Sequence, residues 1–143
     1  MDHSTSLLHL LHRASQIAEE RLTRGLGDTD VTPRQIAVLV VIADREDLNQ
    51  TDVTEATGID RSTLADIVRR LVDRKLVSRK RTKEDARAYA LKVTDAGRRV
   101  LTTSMPVLAR VEAELLDVLP AKKRGELVGL LKELTEKGAR VEV

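Results

Sequence analysis

The chain has no cysteine, no phenylalanine and no tryptophan, and Tyr89 is its single Phe/Trp/Tyr aromatic. Without cysteine there can be no disulfide, no thiol redox sensor and no thiolate metal site. Without Phe or Trp the core must be built from Leu, Val, Ile and Ala. Such cores often rely on helix–helix packing or an oligomer interface to bury enough area. Long apolar runs are also missing. The longest, Ile36 to Ala43, has eight residues, against the roughly 20 needed to span a bilayer. The N-terminus MDHSTSLL lacks a basic segment followed by an apolar run, so no secretory signal is expected. A cytoplasmic protein without membrane association is the natural expectation. Signatures of catalysis are missing too: there is no glycine-rich phosphate loop and no GxSxG. No enzyme activity, cofactor or metal is expected. His9 and His12 share a helical spacing, but nothing acidic or thiolate beside them completes a metal site.

Charge is plentiful and unevenly placed. Charged residues make up 34% of the 143-residue chain, whose net charge is only +2. Between Arg61 and Arg99, 13 Lys and Arg stand against 5 Asp and Glu, a net of +8, while the remainder carries −6. A basic segment on an acidic body suggests a polyanion-binding region.

Apolar spacing predicts mainly helix. Residues 5–24 carry a stripe of Leu7, Leu10, Leu11, Ala14, Ile17, Ala18 and Leu22. Gly25 and Gly27 are expected to break it. Thr32 caps the next helix, Pro33 to about Asp44, and Pro33 sits in its first turn. The β-branched stretch VLVVIA makes a strand a competitor there, and the cap and length favour helix. Leu48 anchors a polar turn. A short helix follows from Gln50 to Thr57, with Val53 and Ala56 facing in, and Gly58 ends it. Asp60 then caps a helix running to about Arg74. Two helices joined by a tight glycine turn are a helix-turn-helix signature. Leu76 to Arg81 and Ala88 to Val93 read as strands, with Tyr89, Leu91 and Val93 alternating on one face. Thr94 caps a long helix that Pro106 should kink or divide. Pro120 starts the last helix, striped by Leu127, Leu130, Leu131 and Leu134.

In the helix from Arg61, Leu64, Ile67, Val68 and Leu71 form the buried face. Ser62, Asp66, Arg69 and Asp73 lie opposite, flanked by Thr63 and Arg70. Hydroxyls and free N–H groups at a helix start can meet phosphate, and arginine can reach a guanine edge. Asp66 can accept from a cytosine amino group or position Arg69 or Arg70. The pattern fits a recognition helix entering the major groove. Arg79 and Arg81 would follow phosphates from the hairpin.

The words TPRQIAVL, LNQTDVTEATGIDRSTLADIVRRL and DARAYALKVTDAGRRVL occur in order and span about half the chain, from Thr32 to Leu101. With them the sequence resembles the MarR family of bacterial transcription regulators. That resemblance implies a mainly helical fold. Its centre is a winged helix-turn-helix domain at 31–98, three helices and a two-stranded wing. Helices at 1–30 and 99–143 would form a dimerisation region. It implies a homodimer binding a palindromic double-stranded DNA operator, usually as a repressor. Many such regulators release DNA when a small aromatic acid binds, and a phenolic acid or its coenzyme A ester is the kind of effector expected.

By position, Asp60 caps the recognition helix, and Arg61, Ser62, Thr63, Asp66 and Arg69 would face DNA. Gln50 and Thr51 would meet phosphate. Arg87 matches a wing arginine that enters the minor groove, and Asp85 would orient it in an Asp85–Arg87 ion pair. Where family members often have glycine, this chain has Lys75, so either Lys75 adopts positive φ or the helix ends differently. The family's effector pocket often holds aromatics that this chain lacks. His12 and Arg13 are the candidate ligand contacts. Two other functions stay open: a winged-helix protein-interaction module without specific DNA binding, and a DNA-binding regulator without an effector.

Overall fold

Local hydrogen bonds set most helix boundaries. The computed structural model describes residues 2–81 and 89–139. After a 3-10 turn at His3–Thr5, helix α1 runs Leu7–Leu26, followed by α2 (Pro33–Asp44), α3 (Gln50–Thr57) and α4 (Arg61–Asp73). Strands β1 (Val77–Arg81) and β2 (Tyr89–Val93) come next, then α5 (Asp95–Leu116) and α6 (Ala121–Gly138). Six helices and a two-stranded wing are thus present in the expected order.

The competition over VLVVIA resolves as helix because α2 has a complete capping box. The Gln35 N–H donates to Thr32 Oγ1 at 3.2 Å, and the Thr32 N–H donates to Gln35 Oε1 at 3.1 Å. Two otherwise orphaned donors are satisfied at once, and Pro33 needs no donor at its position. Burial of Ile36, Val38, Leu39 and Ile42 then outweighs the weak β preference of branched residues. A second box starts α3, where Asn49 and Asp52 exchange the same pair of bonds at 2.8 and 3.0 Å. Gly58 ends α3 at φ 73°, in the left-handed region where glycine avoids a Cβ clash.

Some expectations need correction. Gly25 does not break α1, which continues to Leu26 and is closed by Gly27 at φ 49°. One glycine lowers helix propensity without forbidding the helix. Ala56 is exposed, and Val53 alone is buried on α3. Of the two outcomes expected at Pro106, a kink or a division, division does not occur, since α5 runs through it. Tyr89 shares the face of Leu91 and Val93 but is 41% exposed, whereas those two are buried.

Residues Met1–Leu108 and Ala109–Val143 form two compact units. In the first, Ile36, Leu39, Val53, Leu64, Val68 and Leu71 lie at the centre of an aliphatic core shared by α2, α3 and α4. Each such side chain contributes about 1.5–3 kcal/mol through burial. Leu48, which reads from sequence as a turn anchor, forms a β-bridge with Leu91, and the Leu91 N–H donates to its carbonyl at 2.7 Å. That bond ties the start of the helix-turn-helix to β2. In the second unit, Arg124 Nε donates to the carbonyls of Leu116 and Leu119 at 3.1 and 3.0 Å. It thereby satisfies carbonyls that the end of α5 leaves free.

Helix α4 ends in a Schellman motif. The Leu76 N–H reaches Leu71 O and the Lys75 N–H reaches Val72 O, both at 2.9 Å, with Lys75 at φ 60°. Of the two alternatives at Lys75, positive φ is the one found. Strands β1 and β2 then pair antiparallel, from Val77 opposite Val93 to Arg81 opposite Tyr89.

Candidate nucleic-acid interface

Asp60 organises the start of α4. Its carboxylate accepts the Thr63 N–H at 3.1 Å and the Ser62 hydroxyl at 2.8 Å. Hydrogen bonding from Thr63, from its side chain and then its N–H, lowers the carboxyl pKa to about 2, and the Ser62 hydroxyl adds to this. An N-cap ionised over the whole physiological range also favours the positive end of the helix dipole. The Ser62 hydroxyl spends its proton on Asp60, so toward a ligand it offers an acceptor.

Burial of Leu64, Ile67, Val68 and Leu71 sets the rotation of α4. Arg61, Ser62, Arg69 and Arg70 are exposed, and Thr63 and Asp66 half-buried. Asp66 accepts from Arg69 Nη2 through one oxygen and from Arg70 Nε through the other, the latter at 3.1 Å. Gln50, at the first turn of α3, is half-buried and Thr51 beside it is exposed.

On the hairpin, β1 buries Val77 and exposes its next four residues. Arg79 and Arg81 are exposed, and Lys80 between them, absent from the sequence-based set, is exposed as well. The unbroken SRKR run was the available signal. Arg81 Nε donates to the Tyr89 hydroxyl at 3.3 Å, and its guanidinium carbon lies 5.8 Å from the ring centroid. Tyr89 thus steadies a cation by hydrogen bond and cation–π contact. Asp85 and Arg87, with their expected ion pair, lie outside the described residues.

Two further features complete the picture. A groove of about 650 Å³ is lined by Ser15 and Glu19 of α1, Arg34 and Val41 of α2, and Ile59 and Asp60 at the α3–α4 turn, among others. His12 and Arg13 are exposed on α1 and do not line it. Among the described residues no group of three His, Cys, Asp or Glu could hold a metal ion, and no helix is long and apolar enough to cross a membrane.

A capped helix with an arginine-bearing outer face, a preceding helix joined by a Gly58 turn, and a basic hairpin are the parts of a winged helix-turn-helix. A profile of the MarR family matches residues 29–88. The chain is 31% identical to the PcaV transcriptional regulator of Streptomyces coelicolor, solved with its natural ligand. The match covers 95% of this chain and 96% of that one, with a TM-score of 0.86. This chain belongs to the MarR family. It is a DNA-binding transcription regulator and not an enzyme.

Two other solved structures are similar. The transcriptional repressor CouR, bound to a 23-mer DNA duplex, is 28% identical over 92% of this chain and 94% of its own, with a TM-score of 0.86. BpsR of Bordetella bronchiseptica, whose DNA binding is regulated by 6-hydroxynicotinic acid, is 28% identical over 89% and 96%, with a TM-score of 0.83. The stretch LKVTDAG, Leu91 to Gly97, has a physical basis. Leu91 bonds Leu48, Thr94 bonds Lys75, and a Cβ at Gly97 would fall 2.2 Å from the Leu76 carbonyl oxygen.

Proposed function

We propose that this regulator is a homodimeric repressor that binds a palindromic operator and leaves it when a small aromatic acid binds. The observation that carries the reading is the outer face of α4. It is rigidly capped by Asp60 and presents Arg61, Ser62, Arg69 and Arg70 to solvent. Its N-terminal half enters the major groove, with Thr63 and Asp66 on the same approach. Gln50, Thr51, Arg79 and Arg81 meet phosphates and set register. Arg87 enters the flanking minor groove, oriented by Asp85, and narrow A·T-rich grooves favour it.

Two copies are needed to cover the apolar surface at the chain ends. Leu7, Leu8 and Leu10 on α1 are exposed, and so are Leu127, Leu130, Leu131 and Leu134 on α6. The regions 1–30 and 99–143 therefore serve as the dimerisation region. The duplex bound by CouR is long enough for two half-sites about one helical turn apart.

For the effector, support comes from PcaV with its natural ligand and from the 6-hydroxynicotinic acid response of BpsR. The groove beside Asp60, with Arg34 as a cation for a carboxylate, is the seat this reading favours over His12 and Arg13. A ligand there would bear on the turn that orients α4.

Selection of bound DNA from a random pool tests the reading. Enrichment of a two-fold symmetric site with half-sites roughly 10 bp apart is expected. Enrichment of no sequence, or of an asymmetric one, would overturn it. Thermal denaturation against phenolic and heteroaromatic acids and their coenzyme A esters tests the effector. Stabilisation coupled to loss of operator binding is expected. No response across the panel would leave a regulator without a small-molecule effector.

A further inference from the structure

An acid on a DNA-facing helix needs a reason. Asp66 has 43% of its side chain exposed, between Arg69 and Arg70 at 66% and 65%. Its negative charge opposes the approach of phosphate, and the stability gained from an exposed ion pair at helical spacing is small. Ordinary pairs of that kind occur elsewhere: Arg110 with Glu114 and Lys137 with Glu133, each one to one at 3.9 Å. Asp66 differs. Among the described residues it is the carboxylate shared by two arginines, one on each oxygen.

The atoms it engages matter. Arg70 gives Asp66 its Nε at 3.1 Å. Its Nη1 and Nη2 remain as an intact end-on fork, the pair of parallel donors that matches guanine O6 and N7. Arg69 gives Nη2, so part of its own end-on fork is spent. The sequence pattern favours Arg69 as the base reader, whereas the hydrogen bonds favour Arg70.

We propose that Asp66 is a specificity-determining positioning residue, which braces Arg70 for one guanine and penalises DNA that does not offer it. The proposal rests on the DNA-binding reading above. On any duplex the Asp66 charge costs affinity, and on the correct one the pre-aimed fork restores it. Lower affinity for random DNA and sharper discrimination then have a single cause.

The test compares the full-length protein with Asp66→Ala, Asp66→Glu, Arg70→Ala and the Asp66→Ala/Arg70→Ala double variant. Each is titrated with the selected operator, the operator altered at its guanines, and a random-sequence duplex, over a salt series. Asp66→Ala should bind the random duplex several-fold more tightly, with a salt slope steeper by up to about one. Its operator-to-random ratio should fall about tenfold, and Asp66→Glu should recover part of it. With Arg70→Ala already present, removing Asp66 should change the ratio little further, since the two act as a unit. An unchanged ratio and unchanged random-duplex affinity in Asp66→Ala would overturn the proposal, as would additive effects with Arg70→Ala. Loss of discrimination confined to a C at one position would instead make Asp66 a direct base reader and overturn the bracing role. If the wild type itself prefers no sequence, the DNA-binding reading fails first, and the wild-type titration alone reveals it.

Discussion

Thr94 Oγ1 donates to the carbonyl oxygen of Lys75 at 2.6 Å, joining the end of the wing to the end of the recognition helix. The same hydroxyl accepts the Gly97 N–H at 3.1 Å, and so caps α5. Beside it, the Thr94 N–H donates to Leu76 O at 3.0 Å. One threonine therefore fixes the left-handed corner after α4, the exit of β2 and the start of α5. A shift at any of these would move the wing relative to α4.

Lys75 holds φ 60° without being glycine. An L-residue there costs about 1–2 kcal/mol, part of which glycine would lose again through its greater unfolded-state freedom. Lys75→Gly should therefore raise unfolding free energy by about 0.5 kcal/mol in urea denaturation. Destabilisation would mean that the lysine side chain contributes an interaction larger than the strain.

Gly97 tolerates no side chain. A Cβ would lie 2.2 Å from Leu76 O and 2.7 Å from Val93 Cγ1, and the first of these is backbone held in a hydrogen bond. Gly97→Ala should cost about 3 kcal/mol, at the upper end for overpacking. Calorimetry should show a Tm lowered by well over 5 °C, on the order expected for that loss in a domain of this size. A Tm within a degree or so of wild type would contradict the close approach.

Asp60 gives the start of α4 a pH dependence. Its carboxyl titrates at about 2 in the folded chain, against an ordinary 3.8. A lowered folded pKa contributes stability that is present above the unfolded value and is lost as pH falls through the folded one. The urea midpoints of wild type and Asp60→Ala should differ by a constant amount above about pH 5. That difference should narrow as pH falls from about 4 to 2. A gap that stays constant down to pH 2 would show that the charge on Asp60 is not what the cap uses.

Leu131 on α6 is 40% exposed in the single chain. In the proposed dimer it is covered, and an acid there would bury a charge without a partner. Leu131→Glu should sediment as a monomer at concentrations where wild type is a dimer, and its operator affinity should fall by 100-fold or more, on the order of the avidity lost. A stable dimer carrying that substitution would remove α6 from the interface.

The candidate site was legible wherever the signal was local. Asp60, Thr63 and the Gly58 turn lie within a few residues of one another, and the exposed arginines of α4 follow from its buried leucine, isoleucine and valine. The Asp66 bonds span only three and four residues, yet helical spacing alone allowed either arginine as a partner. Alternation put Tyr89 on the side of Leu91 and Val93, and a side does not fix how deeply each residue on it is buried: Tyr89 stays 41% exposed. The sequence pattern placed Leu48 in a turn and did not show its bond to β2, because its partner is Leu91, far along the chain.

By itself the sequence determined the order of six helices and a hairpin, through caps, glycines and apolar spacing that act over one turn of chain. It also determined the concentration of positive charge between Arg61 and Arg99. Only the tertiary structure decided how the corner at Lys75 is held, why residue 97 must be glycine, and where Arg74 goes: its Nη1 donates to Asp30 O across 44 residues, at 2.6 Å. The physical reason is range. Hydrogen bonds closing a few residues leave a pattern in neighbouring letters, whereas bonds across 19 or 44 residues form only after the core has brought their ends together.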